Sequence, residues 1–186
     1  MAETSDDAAR AAFRPHFAAL IGHEGGLSLN AADPGNWTGG TVGTGVLNGT
    51  RYGIAAASYP DEDIRNLAPE RAEALYFRDF WCRTGCDALP PPLRDLVFDS
   101  AVNNGPGNAA RFLQRALGVA DDGRIGPVTR AALALADPVT LGEAFQRERV
   151  TFHTKLSTWG TFGKGWAIRL ATVPFQAMRL TSGGTG

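Results

Sequence analysis

Apolar residues recur at three- and four-residue intervals along most of the chain, and strand-like alternation is scarce. An amphipathic helix is predicted over Phe13 to Ile21, stopping at Gly25-Gly26. Pro69 opens a second helix, in which Ala72, Leu75, Tyr76 and Phe80 build one stripe. After Pro90-Pro91-Pro92, Leu93, Leu96, Val97 and Val102 open a third that ends at Asn103-Asn104-Gly105. Phe112, Leu113, Ala116 and Leu117 form another before Gly118. Pro127 to Leu135, Val139 to Leu156 and Trp166 to Leu180 follow, the last kinked at Pro174. Phe80, Trp81, Phe112, Phe145 and Phe152 fall in these stripes and are assigned to the core; Gln146-Arg147-Glu148-Arg149 reads as a solvated helix face. The exception to the helical pattern is Gly25 to Gly53, where Gly and Asn cluster with Thr, Val and Leu, a long loop or small irregular hairpin of the kind that usually carries function. The pattern predicts a mainly α fold with a small β/loop lobe forming a cleft wall.

Composition narrows the picture. At 186 residues and 44% hydrophobic, the chain suits one domain, or a domain with a small appended lobe. A formal net charge of -1 supplies no electrostatic argument for nucleic acid or for an anionic membrane. No apolar run approaches the ~20 residues of a membrane span, so no stable insertion is expected. Met1 to Asp7 lack the basic-then-apolar order of a secretory signal, which predicts synthesis in the cytoplasm and another route to any target outside it. Residues 1–12 read as a polar tail and 181–186 as a flexible one. Cys82 and Cys86 flank Arg83-Thr84-Gly85 and are read as two thiols, with a disulfide across Gly85 as the alternative. His and Cys do not cluster, so no metal or other cofactor is expected.

The candidate chemistry gathers around the loop. Glu24, in His23-Glu24-Gly25-Gly26, stands at a helix C-terminus, where the dipole and partial burial disfavour a carboxylate and suit a general acid. The two glycines leave room for a polymer strand. Asp33, in Asp33-Pro34-Gly35-Asn36, suits the second carboxylate that glycoside hydrolysis needs, and Thr50 follows in Thr50-Arg51-Tyr52-Gly53-Ile54. Taken alone, Glu24 also reads as a solvated last-turn residue and Asp33 as a turn former.

These motifs, with Trp37-Thr38-Gly39-Gly40, Ala57-Ser58-Tyr59-Pro60, Tyr76 to Trp81 and Phe98 to Pro106, resemble the ordered motifs of glycoside hydrolase family 108. Leu113 to Val119 and Asp122 to Thr129 are similar to the peptidoglycan-binding region at the C-terminus of that family. The resemblance implies a lysozyme-like α-helical fold and cleavage of the β-1,4 bond between N-acetylmuramic acid and N-acetylglucosamine. It places the family's essential glutamate on Glu24. A wider similarity to phage lysozymes implies that Asp33 and Thr50 hold a water against the sugar, although the insertion from Trp37 to Asn48 sets them further apart than that pattern does. Residues 13–105 would be the catalytic region and 106–180 a peptidoglycan-binding-like region integrated into the same fold.

Trp37 and Tyr52 are candidate sugar-stacking rings, each with a loop-anchoring role as the alternative. Asn103 and Asn104 are candidates for the N-acetyl groups, or helix caps, and Asp99 is the reserve carboxylate. His23 could tune Glu24 or merely pack; His16 and His153 read as structural or exposed. Three classes follow: a muramidase used in phage-type lysis or local wall remodelling, a catalytically silent wall-binding module, and a particle-associated structural protein. A lytic transglycosylase is a variant of the first. The expected partner is the peptidoglycan glycan strand, met by a monomer in the periplasm or outside the cell after export by a holin or secretion system.

Overall fold

A computed structural model of the chain describes residues 5–21 and 26–182. Among the described residues the helices are α1 Ser5–Ile21, α2 Pro69–Tyr76, α3 Leu93–Asn104, α4 Pro106–Ala116, α5 Pro127–Leu135, α6 Pro138–Thr154 and α7 Trp159–Ser182, and the strands are β1 Thr50–Arg51 and β2 Ile54–Ala55. The fold is mainly α, as the periodicity predicts. Proline at the first positions of α4, α5 and α6 sets where each begins, since its missing N–H would lack an intrahelical partner there anyway. Asp137 adds a side-chain cap to α6, accepting from the Thr140 amide at 2.8 Å; this bond holds the Asp137 carboxyl below its ordinary pKa.

Three boundaries differ from the sequence reading. α1 starts at Ser5, inside the stretch read as a polar tail, because the alanines at 8, 9, 11 and 12 are strong helix formers. α7 starts at Trp159, ahead of Trp166, and runs through Pro174. The stripe through Phe80 is not one α-helix: α2 ends at Tyr76, Phe77–Trp81 form a wide π-helical turn, and short 3-10 turns follow on either side of Gly85, whose φ is 60°. Both cysteines of that stretch are thiols, Cys82 exposed and Cys86 buried. Burial pushes the Cys86 thiol up to about 12.

The chain divides into two compact units, Met1–His16 with Phe77–Gly186, and Phe17–Tyr76. In the first, Phe13 is the hub of an aromatic core, its ring 5.3 Å from Phe77, 5.2 Å from Trp81 and 5.6 Å from Phe98. Tilted and edge-on contacts of this kind add about 0.5–1.5 kcal/mol each beyond the area they bury. His16 lies against Trp81 and bonds Asp95. α3 packs on α4, α6 and α7. The charged run on α6 is not wholly solvated: Arg149 is 0% exposed, because it shares the inward face with Phe145 and His153 at i−4 and i+4.

The second unit holds the small lobe. β1 and β2 pair antiparallel, Thr50 with Ala55 and Arg51 with Ile54. Tyr52 and Gly53 join them with φ of 51° and 74°, the two left-handed residues of a type I′ hairpin turn. The Tyr76 hydroxyl donates to the Tyr52 carbonyl at 3.1 Å, and a Cβ on Gly53 would lie 2.5 Å from that hydroxyl. Single bridges join Ser28 to Thr50 and Trp37 to Leu47. The stretch read as loop or irregular hairpin is thus mostly turns tied by side chains.

Candidate active site

Asp33 has extended backbone and caps the short 3-10 turn Pro34–Asn36, its Oδ1 accepting from the Gly35 amide at 2.9 Å. One carboxylate oxygen is thereby fixed. The side chain is exposed, and its Oδ2 has no partner among the described residues. Asn36, at the end of this turn, is 0% exposed. Its Nδ2 donates to the Asn30 carbonyl at 3.0 Å, its Oδ1 accepts from the Thr50 hydroxyl at 2.7 Å, and its carbonyl accepts from the Asn48 and Gly49 amides at 3.0 and 2.9 Å. A fully buried amide that meets each of these demands ties the Asp33 turn to the strand carrying Thr50.

Thr50 is held by its backbone as well. Its amide donates to the Ser28 carbonyl at 3.0 Å, and its carbonyl accepts from the Ser28 amide at 2.8 Å. Gly49 permits that approach: its φ is 90°, and a Cβ there would lie 2.5 Å from the Ser28 carbonyl oxygen. The Thr50 hydroxyl donates its hydrogen bond to Asn36, which leaves its oxygen able to accept one from a water or a sugar hydroxyl.

The two candidate rings lie in the same unit. Trp37 is half-buried and its Nε1 donates to the Ala31 carbonyl at 2.9 Å, so this indole anchors the loop while part of its surface stays open. Tyr52 is half-buried with the Arg51 guanidinium 5.4 Å from its ring centre. Asp33, Trp37, Thr50 and Tyr52 are therefore brought into one unit. Glu24, with His23 and Gly25, lies outside the described residues.

Asp99, Asn103 and Asn104 belong to α3 in the other unit. Both carboxylate oxygens of Asp99 are engaged: Oδ2 accepts from Arg149 Nη2 at 2.6 Å, and Oδ1 from Arg169 Nε and Nη2 at 3.0 and 2.6 Å. At 5% exposure it balances two guanidiniums, a structural task. Burial draws the Arg149 guanidinium below its ordinary pKa, against the pull of Asp99. Asn104 Nδ2 meets His153 Nε2 at 3.1 Å while its Oδ1 accepts from the Ser100 hydroxyl at 3.1 Å. Asn103 is exposed, its Nδ2 donating to the Asp99 carbonyl at 2.8 Å. Among the described residues no three His, Cys, Asp or Glu are grouped to hold a metal.

Residues 17–105 match the family model of glycosyl hydrolase 108, and residues 108–171 match that of a predicted peptidoglycan domain. The chain carries a glycosyl hydrolase 108 domain. It is a glycoside hydrolase, and with the peptidoglycan domain beside the catalytic match it is a peptidoglycan hydrolase. A solved structure of Brucella abortus SagA is similar at 27% identity over 92% of this chain and 95% of that one, with a TM-score of 0.74. Curated protein sequences give no match. The glycosyl hydrolase 108 match contains every residue proposed from sequence, from Glu24 to Asn104. The residue that sequence reasoning missed is Asn36. Its signal was present in the Asp-Pro-Gly-Asn turn, where Asn commonly bonds backbone nearby, but nothing in the spacing pointed to Thr50.

Proposed function

We propose that this chain, through its glycosyl hydrolase 108 domain, is an N-acetylmuramidase, cleaving the β-1,4 bond between N-acetylmuramic acid and N-acetylglucosamine. Glu24 protonates the leaving glycosidic oxygen. Asp33 and Thr50 hold the attacking water on the opposite sugar face, which predicts inversion of the anomeric centre. The observation that carries this reading is the buried Asn36 amide: it fixes the Thr50 hydroxyl to the turn capped by Asp33, a costly polar arrangement for a loop with no chemistry to perform. Trp37 and Tyr52 present rings to the sugars, and Asn103 offers an open amide oxygen to an N-acetyl group. Asp99 and Asn104 support α3 from within.

The 106–180 region is one half of the same fold, a reading supported by the bonds from Asp99 on α3 to Arg149 and Arg169. The enzyme works on wall strands as a monomer, after export by a holin or secretion system, in lysis or local remodelling.

Reducing-end release from purified peptidoglycan, with mass spectrometry of the products, tests the reading. Wild type is expected to give ends in reducing N-acetylmuramic acid, and Glu24→Gln, folded by circular dichroism, to lose roughly 10²–10⁴-fold in rate. Anhydro ends would make the enzyme a transglycosylase. A fully active Glu24→Gln would remove Glu24 as the acid.

A further inference from the structure

The face that α7 turns to solvent is apolar over much of its length. Ile168 is 57% exposed, Phe175 62% and Met178 46%, and with the exposed Ala171 they recur at i, i+3, i+7 and i+10, a stripe about 15 Å long. The opposite face is the one that packs: Leu170, Val173 and Ala177 are buried. A continuous exposed stripe of this kind marks a surface that meets something other than water.

The charges of the helix say what. α7 carries Lys164, Arg169 and Arg179 and no Asp or Glu, in a chain whose net charge is -1. Arg169 is engaged with Asp99. Lys164 and Arg179 are exposed at the two ends of the stripe and have no acidic partner among the described residues. A second copy of the chain would bring cation against cation with no acid on the face to offset them. An anionic lipid surface would take the two cations at its headgroups and the apolar side chains at the acyl boundary. No described helix is long and apolar enough to cross a membrane, so this contact lies in the plane of the surface.

We propose that the solvent face of α7 is a docking surface for anionic phospholipid, holding a wall hydrolase at the membrane that borders its substrate. It binds reversibly through Ile168, Phe175 and Met178 with Lys164 and Arg179. The net charge of the whole chain conceals this local excess.

Flotation of the full chain with mixed phosphatidylglycerol–phosphatidylcholine vesicles, beside phosphatidylcholine alone, tests it. Wild type is expected to float with the anionic vesicles and be released by salt. Lys164→Glu with Arg179→Glu should weaken the binding by roughly fivefold or more per cation, and Ile168→Ser with Phe175→Ser should abolish it. Both variants should keep the wild-type circular dichroism and the wild-type rate on soluble wall fragments, which makes the result independent of the muramidase assignment. The proposal is overturned if wild type stays unbound, or if folded variants float as wild type does. It is equally overturned if light scattering finds a dimer that Ile168→Ser with Phe175→Ser dissolves, which would give the stripe to a second copy.

Discussion

Thr50 donates its hydroxyl hydrogen bond to Asn36 in a pocket where the amide is fully enclosed, so the two side chains must be judged together. Thr50→Val keeps the shape but leaves the Asn36 oxygen buried without a donor, an expected cost of about 1–3 kcal/mol. In urea denaturation Thr50→Val should fall by that amount while Thr50→Ser stays near wild type. Reducing-end release should rank the same way, since only the hydroxyl can orient water; a folded Thr50→Val of wild-type activity would take Thr50 out of the reaction. At this scale the sequence was legible where chemistry is local. The Asp33 cap could be read from Asp-Pro-Gly-Asn because its bond spans two residues. The Thr50–Asn36 bond spans fourteen residues and a chain reversal, and nothing in the spacing encodes it. The ion pairs of Asp99 were out of reach for the same reason: its arginines lie 50 and 70 residues away.

Among the elements, the helix starts marked by proline, those of α2 and α5, were the best read, because proline at the first turn acts within its own residue, whereas α1 and α7, with no proline in the first turn, begin ahead of where the pattern put them. The α2 end was not, since a π-helical turn preserves the apolar spacing that suggested an unbroken helix. Arg149 on α6 was readable in hindsight: it sits at helical spacing from Phe145 and His153, and only its charge argued for solvent. Its burial makes the α3–α6–α7 junction depend on one carboxylate. Asp99→Asn leaves two guanidiniums facing each other without a counter-charge, with an expected loss of about 3–5 kcal/mol. In a chain of this size each kcal/mol lowers the Tm by roughly 2–4 °C, so calorimetry should show a drop of many degrees. A shift of only a degree or two would mean that solvent already screens the cluster.

The whole molecule should feel acid through the same junction. His153 is 5% exposed, and burial, reinforced by Arg149 and only partly offset by Asp99, holds its pKa below the ordinary 6.5. With the Asn104 amide facing Nε2, the neutral ring is the form that fits. A depressed folded value means that this contribution is complete above about pH 6.5 and is lost as pH falls through the lower native value. Urea midpoints of wild type should therefore fall below pH 6.5 more steeply than those of His153→Gln, and parallel profiles would remove His153 from the response. At this scale the mainly α architecture was legible from periodicity. The small lobe was legible only as a break in that pattern, because its order comes from bonds between distant turns. Charge was legible as a total but not as a distribution, which is why α7 stood out only once folded.

The two cysteines differ in a way that bears on handling the protein. Cys86 is enclosed, beside the Thr84 hydroxyl at 3.0 Å, whereas Cys82 is at the surface. Thiol-directed reagents thus meet a single address on the native protein, and a dye or tether attached there reports from one known point without any residue having to be engineered.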